Sequence, residues 1–102
     1  MGNYRHLEIN DDVRAEVSNP DLDLKEMEYC VLSSQIEIRE LIASNPKLLG
    51  HFALWMSKDI EHSVRAALSR NTSIDPSIVF ELSNDPHLAV ISAASENPNL
   101  NQ

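Results

Sequence analysis

Four histidines, one cysteine and a band of acids are the groups in this 102-residue chain with the chemistry for metal binding, nucleophilic attack or proton transfer. His6, His51, His62 and His87 fall into neither an H-x-x-x-H nor an H-E-x-x-H spacing, so no two share a helix face as zinc ligands do. A single cysteine, Cys30, excludes an internal disulfide and a cysteine-based metal cluster. Cys30 falls in register with Met56 and Leu82, which predicts a buried, inert thiol. The acid pairs Asp11/Asp12 and Glu26/Glu28 lie in a charged stretch, without the apolar setting that raises one carboxyl for acid catalysis. Neither a G-x-S-x-G elbow nor a glycine-rich phosphate loop occurs. The sequence therefore offers no catalytic set, no metal site and no cofactor site, and an enzyme is not expected.

What remains is charge and aromatic surface. Formal net charge is −8, and it is uneven. Residues 1–45 carry ten Asp/Glu against four Lys/Arg, and residues 46–102 carry six against four. Seven acids fall between Asp11 and Glu28, opposed only by Arg14 and Lys25. Nucleic-acid affinity rests largely on cationic side chains, so direct binding of DNA or RNA is not expected. A field of this sign steers toward a basic partner. Affinity also needs a desolvated anchor, and Tyr29 and Trp55 are the candidates. Asp21, Asp23, Glu26, Glu28, Tyr29 and Trp55 are accordingly the expected partner-binding residues.

These side chains must be positioned by elements, and the elements repeat. Asn19, Asn45, Asn71 and Asn97 stand 26 residues apart, three of them before proline. An apolar residue follows three places later each time: Leu22, Leu48, Ile74 and Leu100. A fixed period of this length marks units that bury their apolar faces only by stacking. Within the unit Asn71–Glu96, Asp75-Pro76 and Asp85-Pro86 each read as a capping acid with proline at the first helical position. Asn97-Pro98 reads as a stop. Extending the pattern predicts seven short helices, near residues 11–18, 23–32, 35–44, 49–57, 60–70, 76–84 and 87–96. With two glycines and no alternating stretch, strands are not expected. The expected fold is all-α: one domain, a small right-handed α-solenoid of about three and a half 26-residue helix-pair repeats. Residues 1–10 would be an N-terminal extension and residues 11–100 the repeats. The periodic asparagines are assigned a structural role, each bonding nearby backbone at a helix exit. Direct bonds between their side chains are not expected, because packed helices lie about 8–10 Å apart. Arg39 and Arg65 share one repeat position, with Arg14 one residue out of register. They are expected to be solvated and to pair with acids of their own or the next layer, for example Glu40 or Glu61.

Val64-Arg65-Ala66-Ala67-Leu68-Ser69-Arg70-Asn71, Ile38-Arg39-Glu40-Leu41-Ile42-Ala43-Ser44-Asn45-Pro46 and Val13-Arg14-Ala15-Glu16-Val17-Ser18-Asn19-Pro20 recur in phase. Together they resemble the leucine-rich repeat variant family, over about residues 13–100. The resemblance implies an α-solenoid alternating an α-helix with a shorter, sometimes 3₁₀, helix, and it implies no reaction. The unit here is slightly longer than the family's usual one, Ile91 stands at the recurrent Arg position, and Thr72 at one Pro. The cysteine-rich module beside some members has no counterpart here.

Two functions from different classes follow. The first is non-enzymatic protein binding by an acidic α-solenoid. The second is an inhibitor or immunity-type protein that imitates nucleic-acid charge and blocks a nucleic-acid-binding protein. A structural subunit associating with further copies through the repeat ends is a third. No apolar run resembles a signal peptide or a membrane span, and His6 stands where a myristoylation signal wants Ser or Thr, so a cytoplasmic protein is expected.

Overall fold

A computed structural model describes residues 8–101, and all regular structure among them is helical. Residues 1–7, most of the expected N-terminal extension, lie outside the described residues. Seven α-helices follow one another: α1 (Asp11–Val17), α2 (Leu24–Val31), α3 (Ile36–Ala43), α4 (Gly50–Met56), α5 (His62–Ser69), α6 (Pro76–Leu82) and α7 (Leu88–Ser95). A 3₁₀ turn spans Pro98–Asn101. All seven fall where the period places them, within two residues at either end.

Local chemistry sets the boundaries. Asn10 caps α1 by accepting from the Val13 N–H at 3.0 Å, and Asp23 caps α2 by accepting from Lys25 N–H at 3.2 Å. Asp75 caps α6 as expected, with Pro76 at the first helical position and a 2.8 Å bond from Ser77 N–H. The hydroxyl and N–H of Ser77 together hold the Asp75 carboxyl below its ordinary value. Asp85, read from the sequence as the cap of α7, stands two residues too early. His87 is the N-cap, and its Nδ1 accepts from Ala89 N–H at 3.1 Å. Asp85 instead closes the preceding turn by accepting from His87 N–H at 2.8 Å. Asp59 does the same for Glu61 N–H at 2.9 Å, and Ser33 for Gln35 N–H at 3.1 Å. The acid is displaced from the cap and comes within reach of an arginine.

α1, α3, α5 and α7 pack in a row, each against the next in sequence. α2 packs on α3 and α4, α4 also on α5, and α6 on α5 and α7. Each helix of the row buries an i, i+4 pair: Val13/Val17, Ile38/Ile42, Val64/Leu68 and Val90/Ala94. The other helices contribute Met27, Cys30, Ala53, Met56, Val79 and Leu82, with Leu48 and Ile74 filling the joints. Burying each of the larger side chains contributes about 1.5–3 kcal/mol.

Two ladders of hydrogen bonds tie the row together, and both correct the sequence reading. The Asn71 Nδ2 amide donates to Ala43 O at 2.9 Å and Asn45 O at 3.0 Å, while its Oδ1 accepts from Ser73 N–H at 2.9 Å. Asn45 does the same with Val17 O and Asn19 O, and Asn97 with Ser69 O and Asn71 O. The local bond is as expected. The bond to the backbone one period earlier was not, because the side chain spans the gap to a carbonyl rather than to another side chain. Asn45, Asn71 and Asn97 are buried. Asn19 is exposed, and among the described residues its side chain makes only the local bond, from Asp21 N–H at 2.9 Å.

The second ladder is ionic. Arg65 Nε and Nη2 donate to Asp85 Oδ2 and Oδ1 at 2.7 and 3.1 Å, and Nη1 donates to Asp59 O at 2.6 Å. Arg39 repeats this with Asp59 at 2.8 and 3.2 Å and with Ser33 O at 2.8 Å. Neither arginine is solvated or bonded to Glu40 or Glu61: the Arg65 and Asp85 side chains are 14% and 6% exposed. Two-pronged geometry of this kind suits the planar guanidinium. Arg14, out of register, pairs at 2.9 Å with Glu37 and at 3.2 Å with Asp11 in an exposed setting.

Candidate interaction surface

The outer sides of α2 and α4 carry the surface most unlike the rest of the molecule. Tyr29 and Leu32 from α2 and its exit, Leu54 and Trp55 from α4, and Ile60 from the loop after it are all exposed. Three adjoining grooves meet here. One, of about 450 Å³, lies between Leu32, Ser33, Arg39, Trp55, Lys58 and Ile60. A second, of about 210 Å³, is lined by Glu28, Val31, Leu32, His51, Phe52 and Trp55. A third, of about 560 Å³, runs past Lys25, Glu28, Tyr29 and Leu32. Leu32 lines all three and Trp55 two.

Helical spacing explains the arrangement. Met27, Cys30 and Val31 turn inward, which leaves Glu28, Tyr29 and Leu32 outward. One period later Leu54, Trp55 and Lys58 take the same places, and then Phe80, Glu81 and Asn84. Sequence reasoning found Tyr29 and Trp55 but missed Leu32. Its signal was present: Leu32 stands where the next two periods carry Lys58 and Asn84, positions that need no apolar residue.

The six expected partner-binding residues do not form one site. Tyr29, Trp55 and Glu28 line the grooves. Asp21 and Asp23 are exposed ahead of the start of α2, away from its Tyr29–Leu32 end. Glu26 is buried, contrary to the reading of a solvated acid, because it shares a helix face with Cys30 four residues on. The groove beside Trp55 is close to neutral. Arg39 is matched by Asp59, and Lys58 lies 3.6 Å from Glu81.

Two other histidines meet elsewhere. The His62 and His87 rings stack with centroids 3.7 Å apart and 4° between planes. His87 Nδ1 also accepts the Ala89 backbone N–H. Among the described residues no three His, Cys, Asp or Glu side chains are grouped to hold an ion, and no helix is long and apolar enough to cross a membrane. Cys30 is fully buried.

No family model matches the chain, and no curated protein or solved structure matches it.

Proposed function

We propose that the chain is a small right-handed α-solenoid of the leucine-rich repeat variant kind, about three and a half 26-residue units long, that works in the cytoplasm by binding another protein and catalyses nothing. The observation that carries this reading is the exposure of Leu32 (62%) and Trp55 (63%) on the walls of adjoining grooves. Large apolar side chains grouped over grooves are the composition of an interface centre. The exposed acids Asp21, Asp23 and Glu28 supply a field for a partner with a basic surface. Asp21 and Asp23 precede α2 and line none of the three grooves, so their part of the field is separable by mutation from the anchor.

Capture from the source cell with the wild-type chain and with a Leu32→Glu/Trp55→Ala variant identifies the partner, whose purified form is then used for kinetics. Trp55→Ala should speed dissociation by about tenfold or more, as expected for a buried aromatic anchor. Asp21→Lys/Asp23→Lys should slow association and flatten its dependence on salt. Circular dichroism checks that each variant keeps its helices. A double variant that captures the same proteins with unchanged kinetics would overturn the reading.

A further inference from the structure

A further groove lies between α3 and α5 and shares no residue with the three beside Tyr29 and Trp55. Its volume is about 420 Å³, within the range of sites that take a small ligand or a short peptide. The repeat itself makes it. Glu37, Glu40 and Leu41 of α3 stand in register with Ser63, Ala66 and Ala67 of α5, so long side chains wall one side and short ones floor the other. The two ends of the groove differ in sign. Glu37 and Glu40 lie on the first two turns of α3, and His62, stacked on His87, stands at the same end. Ser44 and Arg70, the C-caps of α3 and α5, lie at the other end. Glu37 is engaged by Arg14 at 2.9 Å. Glu40 and Arg70 line the groove and belong to no ion pair among the described residues.

We infer that this groove binds an extended segment of another protein in which a Lys or Arg stands two residues from an Asp or Glu. The basic side chain meets Glu40 and the acidic one meets Arg70. From Glu40 to Ser44, the residue in register with Arg70, a helix advances about 6 Å. Two residues of extended chain advance about 6.6 Å and aim their side chains to the same side. A helix covers this span in four residues, and opposite charges at that spacing pair with each other instead of with the groove. The short side chains of Ser63 and Ala67 leave room for the backbone between the two charges. Selectivity comes from having both signs. A purely basic segment is drawn to a chain of charge −8 anywhere on its surface, whereas a segment with one charge of each sign gains only where both are matched. The site is independent of the α2–α4 surface.

The probe is the blocked, net-neutral peptide acetyl-Ala-Lys-Ala-Glu-Ala-amide, titrated into the isotope-labelled 102-residue chain and followed through the amide chemical shifts. The largest changes should fall on Glu40, Ser44, Ser63, Ala67 and Arg70. Arg70→Gln should weaken binding about threefold, the loss expected for one exposed ion pair. Replacing the peptide's Glu by Gln should cost as much, and the two changes together should cost no more than either alone, because both remove the same pair. Glu40→Gln and a peptide with Gln in place of Lys should behave in the same way. Neither Glu40 nor Arg70 is tied to another side chain among the described residues, so the variants keep the fold, which circular dichroism verifies. Leu32→Glu/Trp55→Ala should bind the peptide as the wild type does. Absence of shifts at millimolar peptide, shifts centred on Trp55 or spread over the acids of α1 and α2, or losses from Arg70→Gln and from the altered peptide that simply multiply would each overturn the inference.

Discussion

Arg65→Ala is expected to destabilise the fold by about 3 kcal/mol, whereas Arg14→Ala should cost less than about 1 kcal/mol. The two arginines have similar surroundings in the sequence and different ones in space. Arg65 bonds both oxygens of Asp85 and the Asp59 carbonyl in a nearly closed pocket. Its removal leaves a buried carboxylate without its cation. Arg14 bonds Glu37 and Asp11 in water, where solvent replaces the pair at little cost. Chemical denaturation of the two variants measures the difference, and equal midpoints would contradict it. The same pair sets an acid limit. Burial opposes the charge on Asp85, but the bonds from Arg65 and from His87 N–H outweigh it and hold the carboxyl below its ordinary value. A depressed carboxyl contributes stability above its unfolded value, near about 3.9, and loses it as pH falls through the folded one. Arg65→Ala removes the main compensation for burial, so its deficit should be largest near neutral pH and shrink as the medium becomes acid.

Asn71→Ala should cost about 2–3 kcal/mol, and Asn71→Asp more at neutral pH. The alanine variant leaves Ala43 O and Asn45 O, both buried, without their donor and frees the Ser73 N–H. The aspartate variant keeps the shape and the local bond, but turns an acceptor toward two acceptors and buries a charge. Its stability should therefore recover in part on acidification, while that of Asn71→Ala should not. Thermal unfolding of both across pH decides. Indifference of Asn71→Asp to pH would mean that the amide does not face the two carbonyls.

The helices were legible because the period, the prolines and the apolar spacing all act within one unit. Asp75 shows this: cap, Pro76 and anchor Ile74 are contiguous, and the helix starts where they say. The ties between units were not legible. Nothing in the sequence around Asn71 reports that its amide points at Ala43, because that bond depends on how two helices pack. Asp85 was misread for the same reason. A dipeptide pattern says cap, but the guanidinium twenty residues earlier decides what the carboxylate does. The interaction surface was half legible. Aromatic type singled out Tyr29 and Trp55. Leu32 and Glu26 needed the helix face, since one turns outward and the other inward within seven residues.

The one-residue offset of Arg14 has a consequence for the order in which the molecule comes apart. The ionic rungs are largely enclosed at Arg39 and Arg65, and the corresponding contact at Arg14 is open to water. Among the described residues the amide of Asn19 likewise finds no acceptor, while those of the later copies are engaged. Among the described residues α1 is held by its two valines, the exposed Arg14–Glu37 pair and the Asn45 amide, whereas α5 is contacted by both α3 and α7. Stability should be graded along the chain rather than uniform, with partial openings that release α1 first. Hydrogen–deuterium exchange in the native state would show this as fast exchange in α1, slower exchange in α3, and slowest exchange in α5. Uniform protection from α1 to α5 would mean that the row opens only as a whole.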